Sequence, residues 1–263
     1  MAKKVNNTTI TNESSVHCKA IVDGLKSIAT RHSLWSVFED WIKMSAISIR
    51  NAVDHHQWQE REEEYLKTIK KYSPEEQSIF PKLLAELVLA LNEEFKASGP
   101  KDLLGQIFHE LELHNKYKGQ FFTPPSICEL MGEFTLGSKK EGNELSQKGY
   151  LTLADECSGA GGLVLGFAKA MRNNNLNYCS QLKVYCRDID IKCVYMTYLQ
   201  LSLYGIPAVV VHGDTLREEN WSTWYTPVYI WDGWFYEDRI SCPNKTKEAE
   251  ENPPESEERE EIK

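Results

Sequence analysis

The stretch Tyr150–Met171, YLTLADECSGAGGLVLGFAKAM, constrains the fold of this chain more than any other. It opens on a short apolar run, Leu151 to Ala154, of the length of a buried strand, and Asp155 follows at once. Then come a turn of small residues, Ser158-Gly159-Ala160-Gly161-Gly162, and an apolar segment of helical length. Strand, glycine turn and helix in that order form the leading edge of a nucleotide-type cofactor site in an open α/β sheet. Glycine is needed because a Cβ would hold a cofactor off the backbone, and because so sharp a turn visits positive φ. Yet Gly-Ala-Gly-Gly is not the full dinucleotide fingerprint, and a glycine-rich turn before a helix is by itself only a turn. Its company is what gives it meaning.

Downstream, Leu182 to Cys186 reads as a second strand, with Asp188 and Asp190 just past it. Ile191 to Tyr204 reads as a helix with Val194, Met196, Leu199, Leu201 and Leu203 mostly inward, ended by Gly205. A third strand, Ala208 to His212, leads into Gly213-Asp214-Thr215-Leu216. Alternating strands and helices at this spacing predict βαβ units and a parallel sheet. Val228 to Trp231 offers a fourth strand, ending at Asp232-Gly233-Trp234-Phe235.

Upstream the pattern is all-helical. Residues 1–30 read as a flexible arm, polar at first and ending in a short helix over Val16 to Ile28. Leu34, Trp35, Val37, Phe38, Trp41 and Ile42 fall at helical spacing, and a charged helix follows around Trp58 to Lys70. Ser73-Pro74-Glu75-Glu76 carries an N-cap, a proline at the first helical position and a capping-box glutamate. It predicts a helix to about Lys96 with Leu83, Leu84, Leu87, Val88 and Leu91 buried, stopping at Ser98-Gly99-Pro100. Asp102 caps a further helix from Leu103 to about His114, with Leu103, Leu104, Ile107, Phe108 and Leu111 inward. After it come Gly119-Gln120-Phe121-Phe122 and a Thr123-Pro124-Pro125 that begins the next helix. The polar segment 137–149 reads as a solvated loop.

Composition narrows the function classes. There is no run of eighteen apolar residues and no apolar h-region behind the N-terminal lysines, so a cytoplasmic chain with no membrane partner is expected. Seven cysteines, with no CxxC, predict reduced thiols rather than a disulfide framework, and the seven histidines form no metal spacing. The net charge is −9, of which residues 244–263 supply −4 from eight Glu against four Lys and Arg. That tail reads as disordered. The remaining body is mildly acidic, so it meets DNA beside a basic partner or not at all.

Three successive strands thus end in a carboxylate: Asp155, Asp188 and Asp214. In an open parallel sheet those ends share one rim, where ligands bind. A carboxylate after the second strand can accept both hydroxyls of a ribose, and one after the third an adenine amino group. Taken singly, each reads more readily as an Asp that caps a helix, and it is all three at matching places that points to a pocket. There is no lysine cradle and no GxxxxGK(S/T), so a nucleoside without phosphates fits better than ATP or NAD. S-adenosylmethionine, an adenosine with a sulfonium and an amino-acid head, is such a molecule.

The segment from Asp102 to Leu216 resembles the S-adenosylmethionine-binding part of the modification subunit of type I restriction systems, in the N6-adenine DNA methylase family. Gly119-Gln120-Phe121-Phe122-Thr123-Pro124 matches that family's GQ(F/Y)(F/Y)TP, and its DPxCGSGG returns as Asp155 to Gly162 without the proline. Asp188-Ile189-Asp190 and Gly213 to Leu216 echo the acidic end of the second strand and a GDTL. The resemblance implies an α/β fold, a partial doubly wound, Rossmann-like methyltransferase sheet preceded by an all-helical N-terminal region. The expected divisions are an arm at 1–30, a helical domain at 31–117, a cofactor-binding domain at 118–242 and a tail at 243–263. Carried over by resemblance, Phe121, Thr123 and Pro124 contact the methionine end, Asp155, Gly159, Gly161 and Gly162 line it, Asp188 holds the ribose, and Asp214 holds the adenine amino group.

Two departures stand beside the match. The family's catalytic tetrapeptide, (N/D/S)PP(Y/F/W), holds the target amino group and stacks on a flipped-out base. Here Asn252-Pro253-Pro254 lies in the acidic tail with no strand before it. Asp232-Gly233-Trp234-Phe235, eighteen positions past Asp214, keeps only an acid and an aromatic. Asp232 and Phe235 are therefore the catalytic candidates, and a packing role explains the same residues as well. The family also continues into further strands and a target-recognition region that this chain is expected to lack. Two functions lead on the sequence, ahead of methylation of another substrate such as RNA or protein. One is an S-adenosylmethionine-dependent adenine-N6 methyltransferase acting on DNA with a specificity-subunit-like or homo-oligomeric partner. The other is a non-catalytic relative acting as a cofactor-binding or interaction protein, for example in anti-restriction or regulation.

Overall fold

The computed structural model describes residues 16–113, 122–141 and 144–235. The helical region comprises α1 (Val16–Ile28), α2 (Leu34–Val53), α3 (Trp58–Ile69), α4 (Pro74–Gln77), α5 (Ile79–Ser98) and α6 (Leu103–Glu110). The second half runs α7 (Pro125–Glu141), α8 (Glu144–Lys148), β1 (Leu151–Asp155), α9 (Gly162–Asn173), α10 (Tyr178–Gln181), β2 (Leu182–Asp188), α11 (Ile191–Leu203), β3 (Ala208–Asp214), β4 (Glu219–Tyr225) and α12 (Pro227–Trp231). This is an α/β fold, a helical N-terminal region followed by a mixed, Rossmann-like sheet. Among the described residues no helix is long and apolar enough to cross a membrane.

The helical region follows its apolar spacing closely. The short helix expected over Val16 to Ile28 forms as α1, with Ile21, Leu25 and Ile28 fully buried against α5 and α2. The Ser73 capping box forms, with Glu76 N–H donating to Ser73 Oγ and Ser73 N–H to Glu76 Oε2. The helix it opens does not run on to Lys96, however, but breaks at Ser78 and restarts. Pro81 explains this, since it has no N–H for the carbonyl of Gln77 and its ring would strike that carbonyl. Restarting at Ile79 puts the proline in a first turn, where its missing N–H costs nothing. Leu83, Leu87 and Leu91 are buried as expected, whereas Val88 points outward at 43% exposure.

The sheet order is β1-β2-β3-β4, the first three parallel and β4 antiparallel to β3. Both crossovers step the same way across the sheet, and right-handed connection then puts α9 and α11 on one face. That face carries Leu151, Val184, Cys186, Ala208 and Val210 in one core with the helical region. α11 is clamped between the sheet and α2, which is why nine of its thirteen residues are buried.

α7 and α9 cross at van der Waals distance. A Cβ on Gly132 would lie 2.4 Å from the Gly166 carbonyl oxygen, and one on Gly166 would lie 2.2 Å from that of Cys128. Only glycine permits this approach.

Two further expectations need correction, and one strand has no place in the sequence reading. Residues 137–149 are mostly helical, the end of α7 and all of α8, because Lys, Glu, Gln and Leu are good helix formers that outweigh the glycine boundaries. β4 has no sequence counterpart, since ENWSTWY alternates no apolar residues. Val228–Trp231 is helical rather than a strand. Pro227 at its first position starts α12 after the sheet has already been closed by β4.

Candidate cofactor site

The C-terminal ends of β1, β2 and β3 form one rim. Register places Asp155 opposite Cys186 and Asp188 opposite His212, so Asp155, Asp188 and Asp214 all emerge on the same side of the sheet. The structure brings these three together with the glycine turn.

Asp188 organises the rim. Its Oδ2 accepts from Gly159 N–H at 2.8 Å and its Oδ1 from Asp190 N–H at 2.9 Å. Ser158 N–H donates to the Arg187 carbonyl at 3.0 Å, and Gly161 N–H closes the turn onto the Ser158 carbonyl at 2.7 Å. The turn that joins β1 to α9 is thereby tied to the end of β2. Gly159 and Gly161 sit at φ 55° and 88°, and Gly161 is the N-cap of α9. In that left-handed region any side chain would be strained.

Asp155 has a different state. Cys157 N–H donates to its Oδ1 at 3.3 Å, while Oδ2 is buried with no hydrogen-bond partner among the described residues. Burial raises its pKa, partly offset by the Cys157 N–H, and Glu156 adds a smaller upward push. Burial raises Asp188 as well, against the pull of the Asp190 and Gly159 N–H groups. A buried carboxylate oxygen lacking a donor is a costly arrangement that a cationic or hydroxyl-bearing ligand would relieve.

Asp214 is engaged locally. Its Oδ1 accepts from Leu216 N–H at 2.9 Å and Arg217 N–H at 3.2 Å, so it caps its own turn. Thr215 Oγ1 donates to the Glu156 carbonyl at 2.8 Å, joining the β3 loop to the β1 loop.

On the other flank, Phe122 lies over the turn, and a Cβ on Gly159 would come within 3.1 Å of its ring. The ring is held by Phe108 and His109, with centroids at 5.1 and 5.5 Å. Thr123 and Pro124 are exposed at the head of α7, where the Pro124 carbonyl accepts from Ile127 and Cys128 N–H and the Thr123 carbonyl from Cys128 Sγ. Phe121 lies outside the described residues, as do Asn252, Pro253 and Pro254. One rim residue escaped the sequence reading: Ile189, between two acids, is 60% exposed and offers an apolar contact to a planar ring. Its signal was there, an apolar side chain in a loop after a strand.

Asp232 and Phe235 are not part of this rim. β4 runs back down the sheet, so Tyr225 pairs with Val209 at the start of β3 and α12 begins there. Phe235 packs on Tyr225 at 4.9 Å, and Trp234 on Tyr150, the residue before β1, at 4.6 Å. The Asp232 segment therefore sits at the N-terminal edge, about one seven-residue strand from Asp188, or roughly 20 Å. Reacting groups must approach to about 3–3.5 Å. Asp232 and the rim stand several times farther apart than that.

The rim suits a nucleoside with a cationic head: glycines that leave backbone open, two desolvated carboxylates and an exposed apolar side chain. Against known proteins, the model of the family described as N-6 DNA Methylase matches residues 100–246. No curated protein matches the chain. Among solved structures, the type I restriction-modification system methyltransferase subunit from Streptococcus thermophilus is similar at 16% identity, with a TM-score of 0.36. The likeness covers 78% of this chain and 59% of that one, so the chain spans less than two thirds of that subunit.

Proposed function

The chain belongs to the N-6 DNA methylase family, and on that premise we propose that it binds S-adenosylmethionine at the β1–β3 rim and serves adenine-N6 methylation of DNA. The observation that carries this reading is the Asp188 carboxylate bonded to Gly159 N–H, beside an Asp155 Oδ2 that has no partner among the described residues. When bound, S-adenosylmethionine supplies a methyl group on a sulfonium, an electrophile suited to an exocyclic amine. Asp188 retains lone pairs for the ribose hydroxyls while fixing the turn. Asp155 Oδ2 accepts from the amino-acid head, Gly159, Gly161 and Gly162 keep the backbone open, and Thr123 and Pro124 close the methionine side. Asp214, whose Oδ1 is engaged by its own turn and whose Oδ2 lies 3.8 Å from the exposed Arg217 Nε, keeps lone pairs on Oδ2 for the adenine amino group.

Recognition of DNA falls to a basic, specificity-subunit-like partner, since a second copy of this chain would be as acidic as the first. An acidic body does not neutralise phosphates by itself. Titration of the full chain with S-adenosylmethionine tests the reading: binding that Asp188→Ala weakens is expected, and no binding, or binding indifferent to that change, contradicts it.

The separation of Asp232 and Phe235 from the rim favours a second reading, a cofactor-binding relative that does not itself hold the target base. Transfer of labelled methyl to mixed-sequence DNA distinguishes them. Transfer that Asp232→Ala abolishes would restore that residue to the reaction, and binding without transfer, alone or with partner subunits, supports the second reading.

A further inference from the structure

Within α11, two polar side chains, Thr197 and Gln200, are fully buried. They lie three residues apart and so face the same way. Thr197 Oγ1 donates to the Gly159 carbonyl at 2.9 Å. Gln200 Nε2 donates to the Ala160 carbonyl at 2.7 Å and to Asp102 Oδ1 at 2.9 Å. Gln200 Oε1 accepts from Leu103 and Leu104 N–H at 2.8 and 3.1 Å. Four hydrogen bonds, two donated and two accepted, fill all that a primary amide can make. The Gly159 peptide is held at both ends, its N–H by Asp188 and its carbonyl by Thr197. The next carbonyl is held by Gln200, which also grips the first turn of α6. A helix needed only for packing would carry apolar side chains at both places, since buried polar groups are tolerated only when paired.

We infer that Thr197 and Gln200 are positioning residues for the cofactor turn. They fix its two successive carbonyls from the core side, so the open face of the turn is set before a ligand arrives. Gln200 extends the same constraint to the N-terminus of α6, tying the helical region to the site. Such preorganisation strengthens binding by removing an ordering cost. The inference rests on the reading of the rim as the S-adenosylmethionine site.

The test titrates the full chain, Thr197→Val and Thr197→Ser with S-adenosylmethionine, with thermal unfolding alongside. Valine keeps the volume and loses the hydroxyl; serine keeps the hydroxyl and loses a methyl. Both should lower the melting temperature by similar amounts. Affinity should fall about tenfold in Thr197→Val, the equivalent of one hydrogen bond, and stay within about threefold of wild type in Thr197→Ser. A residue that merely packs would order affinity with melting temperature instead. If Thr197→Val does not fold, Thr197→Ala against Thr197→Ser isolates the same hydroxyl with the methyl absent from both. Wild type that binds, with hydroxyl-bearing and hydroxyl-free variants equal, overturns the inference alone. Wild type that does not bind overturns the reading of the rim on which it rests.

Discussion

Asp188 is the residue on which the site turns, because both of its oxygens accept backbone N–H groups. Asp188→Asn would aim an amide N–H at one of those donors. It should therefore lose nearly as much S-adenosylmethionine affinity as Asp188→Ala, tenfold or more by calorimetry; wild-type affinity in the Asn variant would show that the carboxylate does not hold the turn. Asp102 makes a separate prediction. It is buried and its pKa is pushed up to about 6 by desolvation, against the hydrogen bonds from Gln200 and Gly105. The native state thus holds this proton more tightly than the unfolded chain does. The contribution to stability is fully present below about pH 4 and is lost as pH rises through about 6, by up to about 3 kcal/mol. Asp102→Asn keeps the acceptor facing Gly105 and Gln200 and removes the charge. Denaturant midpoints of this variant should rise relative to wild type between pH 4 and pH 7, and parallel curves would refute the assignment. Asp155 and Asp188 were legible in the sequence because each ends an apolar strand. Thr197 and Gln200 were not, because a polar residue inside an apolar helix carries no motif until its partners, nearly 40 and nearly 100 residues away, are placed.

Among the elements, α9 bears the most constraint. It begins at the glycine turn and passes α7 with no room for a methyl group between Gly132 and Gly166. Gly166→Ala should force the two helices apart and destabilise the protein by about 2 kcal/mol or more. Denaturant unfolding checks this, and an unchanged midpoint would mean that the helices are not in backbone contact. Helices and parallel strands were readable from periodicity because burial imposes it. The break at Ser78 could have been read from Pro81, whose ring lies four residues past the carbonyl of Gln77. β4 could not: it is an outer strand whose first residues are exposed, so no apolar alternation marks it. Without β4, Asp232 falls at the wrong end of the sheet, since one antiparallel strand returns the chain to the opposite edge.

Across the whole molecule, one core joins the helical region to the sheet through α11. Trp224 of β4 packs on Tyr195 and Tyr198, and the Arg50 guanidinium of α2 lies 4.6 Å from its ring. Lys192 sits 4.9 Å from Trp35, close beside the rim. The expected boundary near residue 117 therefore divides the sequence more cleanly than it divides the packing. The two edges of the sheet, by contrast, are distinct places about 20 Å apart. Asp232→Ala should accordingly leave S-adenosylmethionine affinity within about twofold of wild type, and a larger loss by calorimetry would show that the edges communicate. Amide hydrogen exchange on the full chain, with and without S-adenosylmethionine, tests the central claim most directly. Slowed exchange in peptides covering residues 155–162 and 188–190, with residues 219–232 unchanged, is the predicted result. No slowing at the rim, or slowing confined to residues 219–232, would contradict it.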